Sequence, residues 1–137
     1  MSWFNIKQIF SKTGDRLFED TPGKVVIEGS KISSRFVFQN GTAVPNTGAI
    51  FSVGEYKKMT IEVYGTATAF EVKFKGSVNG NTNPVPVSAV NLDTFEVANN
   101  STKTGIFSID VSGFFNCSVE VTSVSGGHVN VIGKGVI

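Results

Sequence analysis

The chain has 137 residues, of which only 17% are charged, and a formal net charge of +1. Such a length fits one domain whose core needs no metal ion or disulfide. The near balance of charges excludes the strongly basic surface that nucleic-acid binders carry, so we expect no nucleic-acid partner. Cys117 is the only cysteine and lies in phase with apolar neighbours, which predicts a buried side chain and no internal disulfide.

Residues 1–23 differ from the rest because they concentrate large apolar side chains in a short segment that ends in Thr-Pro-Gly. Ser2 can cap a short helix here, and the apolar spacing fits a strand about as well. We interpret the segment as an N-terminal arm that docks on a partner; the alternative is that it packs onto its own domain. The residues predicted to dock are Trp3, Phe4, Ile6, Ile9 and Phe10.

From residue 24 onward, apolar and polar residues alternate with period two between short segments rich in Gly, Asn, Ser, Thr and Pro. Each run therefore has one apolar and one polar face, and such runs bury their apolar faces by pairing sheets. We predict an all-β, antiparallel β-sandwich over residues 24–137, jelly-roll-like and with about eight to ten strands. The predicted strands are 24–28, 31–38, 50–53, 57–64, 69–78, 85–90, 94–97, 105–111, 117–124 and 128–137.

Segments 57–64 and 69–78 are joined by four residues, Gly65-Thr66-Ala67-Thr68, and a hairpin is one way in which they could pair. In that hairpin Glu62 and Glu71 share the outward face, where two carboxylates in a cleft could act as the acid and base of a glycosidase. An outer sheet face makes no cleft, and lysines share it, so we interpret these carboxylates as solvated.

No other recognisable reaction chemistry is attached to the predicted strands. His128 is the only histidine, so a catalytic triad would have to use it with Asp110 or Glu120. One histidine and one cysteine cannot build a usual zinc site, and the 79–83 loop offers only neutral oxygens to calcium. No phosphate-binding glycine motif is present. We therefore predict a protein that is not an enzyme and has no cofactor or metal.

Polar and aromatic side chains on outward positions are candidates for contact with sugar or protein. Tyr64 shares the outward phase of Glu62, and amphipathic rings on β-sandwich surfaces often mark binding sites. The predicted contact residues are Tyr56, Tyr64, Asn79, Asn81 and Asn83.

The sequence also sets expectations for cellular location. It contains no charged segment followed by an apolar run at its start, which predicts no signal peptide. Its apolar runs are shorter than the ~20 residues of a membrane helix, so we expect no membrane insertion. Both expectations favour synthesis and folding in a bacterial cytoplasm.

Two stretches resemble small β-sandwich structural proteins of tailed bacteriophages. The first is residues 61–68 running into 72–80, and the second is residues 109–114 followed by 121–131. Together they lie within residues 52–137, and the shared motifs are mainly turns. The resemblance implies a virion component, namely a capsid decoration or head-fibre protein, or an accessory protein of the tail or baseplate.

These observations lead to one functional hypothesis and one alternative. We expect a non-enzymatic structural protein of the virion, displayed on the particle and docked on capsid or tail proteins through its apolar arm. Its apolar chain ends favour a homo-oligomer, with a trimer as one arrangement. The alternative is a carbohydrate-binding adhesion module that recognises host cell-wall glycan.

Overall fold

The computed structural model describes residues 33–80 and 83–137, and within these ranges the chain forms eleven β-strands and no helix. The strands are β1 (Ser33–Thr42), β2 (Phe51–Ser52), β3 (Lys58–Gly65), β4 (Ala69–Ser77), β5 (Val85–Pro86), β6 (Ala89–Asn91), β7 (Val97–Ala98), β8 (Asn100–Ser101), β9 (Gly105–Asp110), β10 (Asn116–Ser125) and β11 (Val129–Val136). The predicted arm, 1–23, and the predicted strand 24–28 lie outside the described residues.

The strands form two antiparallel sheets. The six-stranded sheet has the order β1-β11-β3-β9-β6-β7, and the five-stranded sheet has the order β2-β10-β4-β5, with β8 also paired to β4. The prediction of an all-β antiparallel sandwich is confirmed, and most predicted strands match observed ones within a few residues. The jelly-roll connectivity stays a prediction.

Segments 57–64 and 69–78 do not form a hairpin. Strand β3 lies in the six-stranded sheet between β11 and β9, whereas β4 lies in the other sheet beside β10. Glu62 and Glu71 therefore belong to different sheets and are not opposite each other. The predicted strand 31–38 ends too early, because β1 continues to Thr42, which pairs with Val129.

The reason is that the β3–β4 connection bonds to the β10–β11 connection instead of closing a hairpin. The N–H groups of Thr66 and Ala67 both donate to the carbonyl of His128, at 2.9 and 3.1 Å. A Cβ on Gly127, whose φ is +148°, would lie 2.6 Å from the backbone carbon of Thr66. Glycine is therefore needed for two corners of the chain to approach this closely while both cross between the sheets.

The core lies between the apolar faces of the two sheets, as the period-two pattern predicts. Strands β3, β4, β9 and β11 contribute alternate side chains that are almost completely buried, and burial of each large apolar side chain is worth about 1.5–3 kcal/mol. The predicted core positions of Phe38, Phe70, Phe74 and Phe107 are confirmed, and Phe36 packs against the same cluster. The most deeply buried large side chains are Phe74, Met59, Ile61, Ile109, Val53, Val63, Val72, Val111, Val119, Val121, Val129 and Val131.

One edge of β10 pairs with β4 along its length, but its other edge has few backbone partners. A buried glutamine supplies one of the missing hydrogen bonds there. Strand β2 pairs with β10 only at residues 116–117, and Asn46 bridges to Val121. Between these points, Gln39 Nε2 donates to the carbonyl of Val119 at 2.9 Å and to that of Asn46 at 3.2 Å. An irregularity in β1 next to Phe38 turns both Phe38 and Gln39 inward, which lets a polar side chain reach across the sandwich.

We expect Phe74→Ala to lower the free energy of unfolding by about 3–5 kcal/mol, because it removes a fully buried ring that packs 5.1 Å from Phe107. Urea denaturation followed by circular dichroism measures this change. Phe115→Ala is the matched control: its ring is 54% exposed, so the loss there should be below about 1 kcal/mol. Equal losses in the two variants would contradict the assignment of the core.

Cys117 provides a second test of burial. The side chain is fully buried, as predicted, and burial raises the pKa of its thiol from 9.0 to about 12. We expect iodoacetamide to label Cys117 at about pH 8 only after denaturation, because the folded protein keeps the thiol protonated and inaccessible. Above pH 9.0 the thiol ionises in the unfolded chain but not in the folded one. The free energy of unfolding should therefore fall as the pH rises from 9.0 towards 12. In Cys117→Ala the contribution of the thiol to this pH dependence should be absent.

Candidate functional site

The predicted contact residues do not converge on one site. Tyr56 is half-buried, lies edge-on to Phe36 at 5.9 Å, and donates its hydroxyl to Ser34 Oγ. Tyr64 is 39% exposed on the outer face, as predicted, opposite Asn130. Tyr56 precedes β3 and packs over Gly135, which pairs with Met59 near the start of that strand, whereas Tyr64 lies near its end.

The predicted asparagine contacts lie elsewhere on the molecule. Asn79 and Asn83 line a small cleft of about 190 Å³ together with Val78 and Val85. Asn81 lies outside the described residues, as do the docking residues predicted in the arm. The structure thus brings together Asn79 and Asn83 but neither tyrosine, and the roles of all these residues stay predictions.

The three side chains that a catalytic triad would need have different partners. His128 Nδ1 lies 3.0 Å from Thr66 Oγ1, whereas Glu120 forms an ion pair with Lys75 at 2.5 Å. Asp110 Oδ1 accepts hydrogen bonds from the hydroxyl and the backbone N–H of Ser112, at 2.6 and 3.0 Å. These bonds, the hydroxyl bond foremost, hold the pKa of the Asp110 carboxyl below its usual value. Each of these three side chains therefore bonds to its own local turn or sheet, and they do not bond to one another as a triad would.

The part of the chain that the structure describes also contains no group of three or more His, Cys, Asp or Glu side chains that could hold a metal ion. In the same residues there is no helix long and apolar enough to cross a membrane.

The hairpin formed by β6 and β7 has an unusual polarity. It lies at one edge of the six-stranded sheet, and Val90 pairs with Val97 on its solvent side. Val97 is 63% exposed. The opposite side carries Asn91 and Glu96, which line a cleft. Near the loop, apolar side chains thus face outward and polar ones face the cleft, the reverse of the pattern in the rest of the sandwich.

Phe95, in the loop of this hairpin, combines two unfavourable properties. Its φ is +63°, and it is the only residue other than glycine with a positive φ in the described ranges. Its side chain is also 75% exposed. A left-handed backbone costs a residue with a Cβ roughly 1–2 kcal/mol, and an exposed ring recovers little of this through burial. Such strain is concentrated at functional positions in proteins.

Hydrogen bonds hold the loop in this conformation. The Oδ1 atom of Asn91 accepts from the N–H groups of Asp93 and Thr94, at 2.8 and 3.2 Å. The N–H of Phe95 donates to the Asn91 carbonyl at 2.7 Å, and the N–H of Asn91 donates to the carbonyl of Glu96 at 2.9 Å. Asn91 is therefore the residue that organises the loop around Phe95.

The exposed apolar surface extends from the hairpin onto β9. The N–H of Leu92 donates to the carbonyl of Ile106 at 2.9 Å, which places these two residues side by side. Both are nearly half exposed. We call this surface the Phe95 patch, and it consists of the exposed Leu92, Phe95, Val97 and Ile106 and the half-buried Val90. Contiguous exposed apolar side chains of this kind often mark an interaction site.

Sequence reasoning missed this patch because residues 94–97 alternate like a strand. In a regular strand, the side chain of Phe95 would be buried or its backbone would pair with a neighbouring strand. The available signal was Asn91 followed by Asp93 and Thr94, residue types whose side chains bond to nearby backbone and favour turns.

We expect Phe95→Gly to raise the free energy of unfolding by about 0.5–1 kcal/mol, because glycine adopts a positive φ without strain and little buried surface is lost. Phe95→Ala keeps the strained conformation and serves as the control, with no comparable gain. Thermal and urea unfolding of the two variants measure the difference. A clear loss of stability in Phe95→Gly would show that the ring supports the fold instead of facing a partner.

Three curated proteins of Bacillus subtilis (strain 168) are similar to this chain. "Uncharacterized protein YqxG" is 33% identical over 122 residues, which cover 82% of this chain and 41% of YqxG. "Phage-like element PBSX protein XepA" is 33% identical over 116 residues, covering 83% and 40% of the two chains. "SPbeta prophage-derived uncharacterized protein YomS" is 29% identical over 120 residues, covering 87% and 97%. The chain thus spans about two-fifths of YqxG and XepA and nearly all of YomS.

Solved structures share the fold. The crystal structure of the SPBc2 prophage-derived protein YomS matches with a TM-score of 0.74 at 27% identity, covering 82% of this chain and 100% of YomS. That of the "PBSX exported protein XepA" matches with a TM-score of 0.74 at 28% identity, covering 89% of this chain and 48% of XepA. The expected relation to phage proteins is confirmed at this level. The XepA family model matches residues 32–135, and the chain therefore belongs to the XepA family.

Proposed function

We propose that this protein is a non-enzymatic contact protein of a phage particle, which binds another particle protein through the Phe95 patch and through its apolar N-terminal segment. The observation that carries the proposal is the outward apolar side of the β6–β7 hairpin, with Phe95 held at a φ of +63° and 75% exposed. Two relatives of the chain are phage-derived, which supports a role in the phage life cycle.

The energy of the patch favours repeated contacts over a single strong one. Full burial of an exposed large apolar side chain is worth about 1.5–3 kcal/mol, and the patch residues are already partly covered. Association itself costs an estimated 4–15 kcal/mol. One patch therefore gives weak binding, so docking needs the residues predicted in the arm or several copies on a symmetric particle.

We propose that the protein attaches to the capsid or to the tail. A decoration, fibre or baseplate protein would each use the Phe95 patch and the arm for this attachment. A homo-oligomer, with a trimer as one arrangement, would cover the patch with a second copy of the chain. Both ideas stay predictions.

A second candidate function has one specific observation in its favour. The relative XepA is described as an exported protein of the PBSX element. If this chain shares that property, it would act outside the cell that makes it, on the bacterial envelope, as the predicted glycan-binding alternative requires. The protein would then be found in culture fluid instead of in purified particles.

The proposal predicts that the protein purifies with phage particles. We expect mass spectrometry of gradient-purified particles to detect the wild-type chain, and to detect Phe95→Gly at roughly tenfold or lower abundance because the apolar contact is lost. Deletion of residues 2–18 should have a similar effect. Phe115→Ala, which removes an exposed ring in the loop before β10, is the control and should incorporate normally.

The amount of each variant in whole cells must be equal for this comparison to hold. Recovery of the wild-type chain only in culture fluid would contradict the particle proposal and favour the exported alternative. Normal incorporation of Phe95→Gly would remove the patch from the proposal, and normal incorporation of the deletion would remove the arm.

A further inference from the structure

A polar cleft of about 400 Å³ lies on the inner side of the β6–β7 hairpin, on the face opposite Val90 and Val97. Its other wall is formed by β8 and by the residues that connect β8 to β9. The chain crosses here from the six-stranded sheet to the other sheet and back, which leaves the edge of the sandwich open. The cleft is lined by Ala89, Asn91, Thr94, Glu96, Ala98, Asn100, Ser101, Thr102, Lys103 and Phe107.

The polar lining is held in place by hydrogen bonds to the surrounding structure. Asn100 Nδ2 donates to Glu71 Oε2 at 3.0 Å, and Ser101 Oγ donates to the carbonyl of Lys103 at 2.8 Å. Asn91 organises the hairpin loop through the bonds of its Oδ1 atom. Amides and hydroxyls offer both donors and acceptors, and groups held in one orientation lose little entropy on binding.

The charges of the lining cancel. Among residues 33–80 and 83–137, Glu96 and Lys103 are the only ionisable ones that line the cleft, and both are exposed. Within the described residues they form no ion pair with each other. A lining with one charge of each sign gives no net attraction for a phosphate, a polyanion or a metal cation.

The floor of the cleft is apolar. Phe107 and Ala89 lie at its base and are almost completely buried, so the exposed apolar surface there belongs to Ala98, which pairs with Ala89 across the hairpin. Alanines leave room for a ligand where larger side chains would close the gap between the sheets. An apolar floor beneath hydroxyl and amide walls matches a sugar ring, which has a C–H face and a hydroxyl edge.

We infer that this cleft binds a neutral carbohydrate of one or two sugar rings. The ring would pack its C–H face on the exposed methyl group of Ala98. Its hydroxyls would bond to Asn91, to the Asn100–Thr102 wall and to the charged pair. The volume falls in the roughly 300–1,000 Å³ range of small-molecule sites. This site differs from Tyr64, Asn79 and Asn83, which lie elsewhere, and it uses the face of the hairpin opposite the exposed valines of the Phe95 patch.

Titration of the ¹⁵N-labelled full-length protein with neutral sugars tests the inference. The panel contains glucose, galactose, N-acetylglucosamine and their disaccharides, with sialic acid and inorganic phosphate as charged probes. We expect amide shifts confined to residues 89–107 with a dissociation constant in the range of about 0.1–10 mM for at least one neutral sugar. Ala98→Leu should weaken this binding by roughly tenfold or more, because the larger side chain fills the cleft.

Val97→Ala is the matched control, since its side chain lies on the other face of the same strand, and it should bind sugar as the wild type does. Absence of shifts at about 10 mM of every neutral sugar would overturn the inference. Three other results would also overturn it. They are shifts caused only by the charged probes, shifts centred on Tyr64 or Asn79, and unchanged binding in Ala98→Leu. Phe95→Gly should bind sugar normally, so failure of the particle proposal and failure of this one are distinguishable.

Discussion

The interaction on which the whole structure depends is the burial of one apolar face of each sheet against the other. The period-two alternation places Ile61 and Val63 on one side of this layer and Val72 and Phe74 on the other, all with almost no exposed surface. A shift of register by one residue would turn each of these side chains to solvent and bring polar ones into the layer. The register of every long strand is therefore fixed by the same constraint, and the polar outer faces follow from it.

At the edges of the sandwich, where the apolar layer ends, side-chain hydrogen bonds replace some of the bonds between strands. At the open side of β10, the side-chain amide of Gln39 supplies the hydrogen bond that a strand would otherwise provide to Val119. A Cβ on Gly48, at a φ of +79°, would lie 2.4 Å from that carbonyl oxygen and 2.6 Å from Gln39 Nε2. Glycine at this position thus allows the loop to close over the bond. The bond from Gln39 thus replaces a bond between strands. Without it, the buried carbonyl of Val119 would have no donor, which would cost about 1–3 kcal/mol.

Ala89 is the one residue of the β6–β7 hairpin in the described core, and beyond it, towards the loop, the polarity of the hairpin reverses. Core packing does not require Val97 or Phe95, because neither is buried, and it does not explain why Asn91 and Glu96 face inward. Strained backbone, exposed apolar surface and a neutral polar cleft are therefore combined in one small element. A contact protein with a sugar site on the reverse of its contact surface would use both sides of this hairpin, and the two uses are independent because they involve opposite faces.

The sequence by itself determined the class of the fold, most strand positions and the core rings Phe38, Phe70, Phe74 and Phe107, because alternation depends only on neighbours along the chain. It also pointed to phage proteins through turn motifs. Only the tertiary structure decided that β3 and β4 belong to different sheets, since a short connection fits a hairpin and a sheet-crossing corner equally well. The candidate site depended on the structure too: a local pattern cannot show that Phe95 adopts a positive φ, or that Asn91 and Asn100, from different sheets, line one cleft.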